Sequence, residues 1–217
     1  MSAPVIIVGA GGHARVVTDA LLARGTRVLG FTEANPARHR TEVLGLPVLG
    51  DDSVLVRYKP DEVRLVNGIG GVGRRGDTSA RRTAQRRFVE SGWQFATVVH
   101  PDAIVSPHAH LGGGVHVLAG AIVQPGARIG DGCIVNTGAI AEHDVVLGAF
   151  THLAPGAVVC GDVVIGTDSH IGAGAVVRQG LRLGASTVVG AGAVVVKDCE
   201  GLCLLIGVPA RVLEHGR

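Results

Sequence analysis

The chain has 217 residues, of which 47% are hydrophobic and 18% charged. This is enough for one large domain or two small ones whose core needs no disulfide or metal to fold. Its 20 Lys and Arg against 18 Asp and Glu leave a formal net charge of +2, which argues against nucleic-acid binding and against a polybasic membrane anchor. We therefore expect small molecules, or copies of the chain itself, as partners.

The first residues place no basic segment or cleavage site before the apolar run Val5–Val8, which predicts a first strand rather than a signal peptide. No run of about 18 apolar residues free of charges and turn formers follows, so no membrane span is expected. The cysteines lack zinc-ligand spacing, and we expect reduced, packed thiols in a cytoplasmic protein. These are Cys133, Cys160, Cys199 and Cys203.

Residues 1–98 alternate between strand and helix patterns, which is typical of a Rossmann-like α/β domain with a parallel sheet. The predicted strands and helices are listed in chain order: strands at Val5–Val8, Arg27–Phe31, Val63–Val66 and Phe95–Val99, and helices at Arg15–Arg24 and about Arg74–Glu90.

A glycine-rich turn, Gly9-Ala-Gly-Gly-His-Ala14, joins the first strand to the first helix. Glycines let the backbone approach a phosphate, and the positive end of the helix attracts the anion. Glu33 ends the second strand, where an acidic residue accepts hydrogen bonds from ribose hydroxyls. Because Ala14 replaces the third glycine of the dinucleotide fingerprint, a tight turn without a ligand is the alternative. The predicted nucleotide-site residues are Gly9, Gly11, Gly12, His13, Glu33 and, in the later Asn67–Gly71 turn, Gly70.

The second predicted helix is rich in arginine. We expect most of these side chains on a solvated face, as is usual for runs of charge. One or two near the Asn67–Gly71 turn could reach a pyrophosphate, and the sequence does not select which. The arginines are Arg74, Arg75, Arg81, Arg82, Arg86 and Arg87.

Residues 99–217 have a different character, because a six-residue period begins at Val105. Val, Leu or Ile holds every sixth position through Val195 except at Ala141, and four residues further into each unit every residue except Leu181 is small or medium. This period fits neither a helix nor an ordinary strand. It predicts an all-β parallel β-helix with three units per coil. Glycines at expected turns are Gly126, Gly132, Gly138, Gly156, Gly174 and Gly192.

The repeat resembles that of the left-handed β-helix acyltransferases, and Gly207-Val-Pro-Ala-Arg211 is similar to their closing segment. With Gly9–Ala14 in front and the segment 136–144 inside the repeat, the whole chain resembles the sialic-acid O-acetyltransferases and nucleotide-sugar 4-amino N-acetyltransferases. The resemblance implies acetyl-CoA as co-substrate, a nucleotide-linked amino sugar as acceptor, and a homotrimer with sites between adjacent prisms. It implies no metal.

The irregular unit reads Ala141-Glu-His-Asp-Val-Val146 and places three polar residues in succession without aiding packing. A functional site is expected where a local rule is broken in this way. Acetyl transfer to an amine needs a base, and histidine titrates near neutral pH, so we predict His143 as the general base. Spacing leaves Glu142 and Asp144 equally able to support the ring, whereas the resemblance points to Asp144.

Further roles come from the resemblance alone. It implies that His152 contacts acetyl-CoA, together with the backbone near Ala173 and Ala191, and that Asn136 contacts the substrate or the base. A surface ladder of histidines is the alternative interpretation of His152, since it falls one coil from His170 and two from His116.

Three other functions are alternatives to this prediction. An O-acetyltransferase of a sialic-acid-like sugar would keep the fold and change the acceptor. A non-catalytic trimeric binding protein would use the β-helix only as a scaffold. A zinc hydro-lyase would need histidines five residues apart in the repeat, but Gly148 follows His143 at that distance.

Overall fold

A computed structural model describes residues 3–70 and 79–213. The N-terminal half is a five-stranded sheet of order β3-β4-β2-β1-β5. Strand β1 pairs in parallel with β2 and β5, β2 pairs in parallel with β4, and β3 and β4 form an antiparallel hairpin. The strands are β1 Val5–Val8, β2 Val28–Thr32, β3 Glu42–Val43, β4 Leu46–Gly50 and β5 Arg64–Asn67, and the helices are α1 Gly12–Ala23 and α2 Ser79–Glu90.

The predicted Rossmann-like arrangement is confirmed, with β1, β2, β5 and α1 close to their expected positions. Helix α1 packs Ala14, Val17 and Leu21 into the core of the sheet, as its apolar spacing predicts. The β3–β4 hairpin was missed because each strand is short and interrupted by turn residues. Arg74, Arg75 and Gly71 lie outside the described residues. Neither described helix is long and apolar enough to cross a membrane.

The prediction of a single strand over Phe95–Val99 is wrong, because this segment passes from one sheet to another. Phe95 makes an isolated parallel bridge with Leu65 of β5. Three residues later, β6 (Val98–Val99) pairs in parallel with β9 (His116–Val117) of the C-terminal half. Thr97 alone interrupts the apolar residues, so the sequence gives no sign that the two ends of this segment belong to different sheets.

The C-terminal half is a three-sided parallel β-helix in which the strands from β6 to β22 pair at a spacing of 18 residues, as Ile122 does with Ile140. The first face has six strands, the second five and the third eight. The strands of the first face are β7 Ile104–Val105, β10 Ile122–Val123, β13 Ile140–Ala141, β16 Val158–Val159, β19 Val176–Val177 and β22 Val194–Val195. Those of the second are β8 His110–Leu111, β11 Arg128–Ile129, β14 Val146–Leu147, β17 Val164–Ile165 and β20 Arg182–Leu183. The third face holds β6, β9, β12 Ile134–Val135, β15 His152–Leu153, β18 His170–Ile171, β21 Val188–Val189, β23 Leu204–Ile206 and β24 Arg211–Val212.

The six-residue repeat fills the interior of this helix, as predicted. The branched aliphatic residues and the small residues of each unit form one continuous core, to which Ala141 also belongs. The predicted turn glycines all have positive φ, between 62° at Gly132 and 76° at Gly126, a conformation that glycine adopts without strain. At the equivalent turn of the irregular unit, Asp144 has a φ of 60°, which aspartate tolerates better than most residues.

The end of the β-helix differs from expectation at two cysteines. Cys199 and Cys203 form a disulfide across a four-residue separation, with 7.4 Å between their Cα atoms, so the prediction of four free thiols is wrong for this pair. The turn at Gly201 and Leu202, which lies between the two cysteines in the last coil, brings them together. Cys133 and Cys160 are free. At the end of the β-helix, β23 pairs in parallel with β21 and forms an antiparallel hairpin with β24.

The two halves are joined by α2. Arg81 is only 2% exposed, and its guanidinium donates to the carbonyl oxygens of Gly132 and Phe150 in the β-helix. Arg82 forms an ion pair with Asp168. The prediction of a solvated face is therefore wrong for Arg81, whereas Arg86 and Arg87 are exposed. Arg81, Gln85 and Phe88 are the buried residues of α2, so an arginine occupies a core position of the helix.

Candidate functional site

A cavity of about 570 Å³ opens at the carboxyl ends of β1, β2 and β5. In open α/β sheets, ligands bind at this edge, in the crevice at the point where the strand order reverses. Six residues predicted for the nucleotide site line this one cavity: Gly9, Gly11, Gly12, His13, Glu33 and Gly70. Asn136 is not among the lining residues.

The N-terminus of α1 faces this cavity. Its N-cap, Gly11, supplies no side-chain hydrogen bond, and no acidic residue occupies the first turn. The first N–H groups of a helix have no partner within it and carry partial positive charge. Gly68, which also lines the cavity, packs tightly against the turn after β1, because a Cβ there would lie 2.7 Å from the carbonyl oxygen of Gly9. The N-terminus of α1 therefore makes this end of the cavity favourable for an anionic group.

Two carboxylates also line the cavity. Glu33 accepts hydrogen bonds from the backbone N–H of Ala10 and Asn35 and from Arg38, which fix its orientation. Asp52 also lines the cavity, and its Oδ1 accepts a hydrogen bond of 2.7 Å from the Thr32 hydroxyl. Sequence reasoning missed Asp52, although an acidic residue just after an apolar stretch was the available signal.

The irregular unit of the repeat lies on an exposed edge of the prism. His143 and Asp144 occupy the turn from β13 on the first face to β14 on the second, which we call the His143 corner. The ring Nδ1 of His143 lies 2.9 Å from Oδ2 of Asp144. The Asp144 hydrogen bond, followed by the charges of Asp144, Glu142 and Asp162, raises the pKa of His143. The Glu142 carboxylate instead accepts from the His143 backbone N–H at 3.4 Å, so Asp144 is the neighbouring carboxylate that hydrogen-bonds to the ring.

Glycines in the neighbouring coils leave room for this pair. A Cβ on Gly161, one coil after His143, would lie 2.5 Å from the His143 Cε1 atom and nearer still to Nε2. A Cβ on Gly126, one coil before Asp144, would lie 3.2 Å from the Asp144 Cγ atom and nearer to Oδ1. The imidazole thus rests against Gly161, with Nδ1 hydrogen-bonded to Asp144.

A second polar group lies on the third face. His152 is 6% exposed, its Nε2 lies 3.1 Å from the Asn136 amide nitrogen, and its ring meets that of His170 edge-on at 5.1 Å. Burial, followed by the charges of His170, Arg81 and His13, lowers the pKa of His152 to about 2. The structure therefore brings Asn136 and His152 together, and the surface-ladder interpretation of these histidines is wrong because His116 and His152 are both buried.

Ala173 and Ala191 are exposed and lie in the turn between the third and first faces, which we call the Ala173 corner. They occupy equivalent places one coil apart, since the Gly192 N–H donates to the Ala173 carbonyl. Asn136 and His152 adjoin this same corner. His143 is on the His143 corner, across the whole first face, so one chain does not bring all the predicted residues together.

The N-terminal half reaches the third face through a histidine pair. The Nε2 atom of His13, at the cavity, lies 3.0 Å from Nδ1 of His116 in β9. Burial, with the charge of Arg81, lowers the pKa of His13 to about 4, and burial also lowers the pKa of His116 well below its ordinary value. Among residues 3–70 and 79–213, no cluster of three His, Cys, Asp or Glu side chains is arranged to hold a metal ion.

Comparisons with known proteins match both halves of the chain. Residues 4–82 match the model of the PglD N-terminal domain, and residues 144–179 match the bacterial transferase hexapeptide model of six repeats. A comparison with curated protein sequences finds no match.

Solved structures match over nearly the whole chain. PerB from Caulobacter crescentus, in complex with CoA and GDP-perosamine, is 40% identical, with a TM-score of 0.89 and coverage of 99% of each chain. The acetyltransferase domain of PglB from Neisseria gonorrhoeae, in complex with acetyl coenzyme A, is 35% identical, with a TM-score of 0.89 and coverage of 98% of this chain and 100% of that one. WeeI from Acinetobacter baumannii, 24% identical with a TM-score of 0.86 over 98% and 100% of the two chains, shares the fold. The chain belongs to the nucleotide-sugar N-acetyltransferase family of left-handed β-helix proteins.

Proposed function

We propose that this chain transfers an acetyl group from acetyl-CoA to the amino group of a nucleotide-linked amino sugar. The observation that carries the proposal is the His143–Asp144 pair, a base supported by a carboxylate on an exposed edge that is otherwise regular. The cavity at the N-terminus of α1 is the proposed site for the nucleotide. Its volume falls in the range of small-molecule pockets, about 300–1,000 Å³.

The chemistry follows from the orientation of the ring. The sugar ammonium first loses one proton to solvent, and Nε2 of neutral His143 then accepts a proton from the amine nitrogen as its lone pair attacks the thioester carbonyl. The new N–C bond forms and the C–S bond breaks, which releases CoA as a thiolate. The proton held on His143 then passes to the sulfur. Asp144 holds the Nδ1 proton and stabilises the charged ring between these steps, as the third member of a triad does.

We propose a homotrimer in which each site uses two chains. The nucleotide cavity, Asn136 and His152 lie on one side of the prism, whereas His143 lies on a different corner. A neighbouring copy that places its His143 corner against the Ala173 corner would complete the constellation, with Ala173 and Ala191 beside the acetyl-CoA. Light scattering in solution tests this, and a monomer with full activity would contradict it.

The acceptor is proposed by class. PerB was solved with GDP-perosamine, so a GDP-linked 4-amino sugar is the first acceptor to test, with UDP- and dTDP-linked amino sugars beside it. A sugar that is acetylated on a hydroxyl group faster than any amino sugar is acetylated on its amine would instead support the O-acetyltransferase alternative. The cytoplasm is the proposed location because acetyl-CoA is supplied there, and cell fractionation tests it.

The experiment measures thiol release from acetyl-CoA with each sugar, for the full chain and for His143→Ala. Loss of a general base lowers kcat by about 10²–10⁴-fold. His110→Ala is the matched control, because His110 is an exposed histidine of the same β-helix. Unchanged transfer in His143→Ala would refute the mechanism. Tight nucleotide binding without transfer to any sugar would favour the non-catalytic binding protein.

A further inference from the structure

The nucleotide cavity is not built by the N-terminal half alone. His13 lines it, and its Nε2 is held at 3.0 Å from Nδ1 of His116, a residue of the β-helix. The two rings stack with centroids 5.2 Å apart and an interplanar angle of 27°. On the opposite side, Gly70 leaves the space that His13 occupies, since a Cβ there would lie 3.1 Å from the His13 Cδ2 atom and nearer to Cβ and Cγ. The His13 ring is therefore fixed from two sides.

Both rings are neutral near pH 7, because burial and the charge of Arg81 lower the pKa of His13 to about 4, and burial lowers the pKa of His116 well below its ordinary value. Two neutral imidazoles share one proton in a hydrogen bond, so one of the facing nitrogens donates and the other accepts. The choice of donor nitrogen determines the tautomer of both rings. It therefore also determines whether the His13 Nδ1 atom is a hydrogen-bond donor or an acceptor.

The surroundings of His116 select the donor. Its second nitrogen, Nε2, is buried without a hydrogen-bond partner among the described residues. A buried N–H without an acceptor is rarer than an unsatisfied acceptor. The proton of His116 therefore belongs on Nδ1, from which it donates to Nε2 of His13. His13 must then carry its own proton on Nδ1.

We propose that His116 is a positioning residue for the nucleotide site. It fixes His13 as the Nδ1–H tautomer, so that the ring becomes a hydrogen-bond donor toward an anionic diphosphate oxygen held at the N-terminus of α1. The alternative tautomer would present a lone pair to that anion and repel it. This inference rests on the proposed nucleotide site and adds to it a contribution from the β-helix half.

Two variants of His116 test the inference in the full-length protein. His116→Leu removes the hydrogen bond, whereas His116→Asn keeps a side-chain amide that can donate to His13. Titration calorimetry with GDP, UDP and dTDP should show binding of the preferred nucleotide weakened about tenfold in His116→Leu, the effect of one hydrogen bond, and largely restored in His116→Asn. Affinity for acetyl-CoA should be unchanged in both.

A double-mutant cycle separates positioning from general packing. In a His13→Ala background, His116→Leu should have no further effect on nucleotide binding, because its influence passes through the His13 ring. A purely structural role would weaken binding by the same factor in both backgrounds, and that result would overturn the inference.

The tautomer can also be read directly in the wild-type protein from ¹⁵N chemical shifts of the imidazole nitrogens, with His13→Gln to assign the signal. An Nδ1–H form of His13 is expected, and an Nε2–H form overturns the inference whether or not a nucleotide binds. If the wild-type protein binds none of the three nucleotides, the proposed function fails, while the tautomer result still decides the role of His116.

Discussion

Gly161→Ala should disable the proposed base without disturbing the fold. The φ of Gly161 is not positive, and alanine already occupies the same place in other units, at Ala119, Ala149 and Ala173. The backbone therefore accepts the substitution. The added Cβ meets only the His143 ring, which is exposed and able to move.

The size of the effect follows from the required displacement. The Cβ would lie 2.5 Å from the His143 Cε1 atom, whereas ordinary van der Waals contact begins at 3.4 Å. The ring must move by about 1 Å, and a misplacement of about 1 Å can reduce the rate about 10²-fold. The 2.9 Å bond to Asp144 would be lost by the same movement. We expect kcat to fall about 100-fold while the melting temperature changes little.

Gly113→Ala is the matched control. Gly113 holds the same place in its unit, and the nearest atom to its added Cβ is the Asp131 Oδ1 atom at 3.8 Å. Steady-state thiol release and a thermal melt of both variants decide the case. The reasoning is refuted if Gly161→Ala keeps the wild-type kcat, or if Gly113→Ala loses as much.

Three further predictions concern charge and burial. Asp144→Asn removes the group that raises the pKa of His143, so the acidic limb of the kcat/KM profile should move to lower pH and kcat should fall about tenfold; an unmoved limb, or an equal effect of Glu142→Gln, would contradict this. His13 and His152 have folded pKa values of about 4 and about 2 against about 6.5 unfolded. Below pH 6.5 the unfolded chain binds more protons than the folded chain. The free energy of unfolding should therefore fall by about 2 kcal/mol for each histidine between pH 7 and pH 5. Denaturant titration should find a smaller fall in His152→Asn. Arg81→Met leaves two buried carbonyl oxygens without their donor and should lower the free energy of unfolding by about 2–4 kcal/mol. Arg82→Met, at a partly exposed ion pair, should lower it by about 1 kcal/mol or less. Equal losses in the two variants would contradict the role given to Arg81.

The β-helix could be predicted from sequence because its register is enforced by burial at every sixth residue. A side chain at Val159 or Ile165 either fills the interior or leaves a cavity, so the period is strict and is read without a structure. His143 was found by the same rule, as part of the unit that departs from it. Asp144 could be separated from Glu142 only in three dimensions, because both neighbours are adjacent to the ring in sequence and only one has a backbone that turns its carboxylate toward Nδ1.

The outward-facing positions of the strands carry no such constraint, so the burial of these side chains could not be predicted from the sequence. His116, Ile134 and His152 follow one another along the third face in positions that point away from the core of the β-helix. Their burial depends on the N-terminal half, which packs Val98, Leu118 and Ile134 into a core that also contains Val5, Val17 and Phe31.

The burial of Arg81, in the N-terminal half, could not be predicted from the sequence for the same reason. It occupies a buried position of α2, where the hydrophobic pattern expects an apolar side chain, because its partners are carbonyl oxygens of the β-helix turns. Those turns expose carbonyls wherever a corner is not covered, and an arginine can satisfy two of them at once. The third face and its corner with the second face are therefore covered by the N-terminal half, whereas the opposite edge, with His143, is exposed.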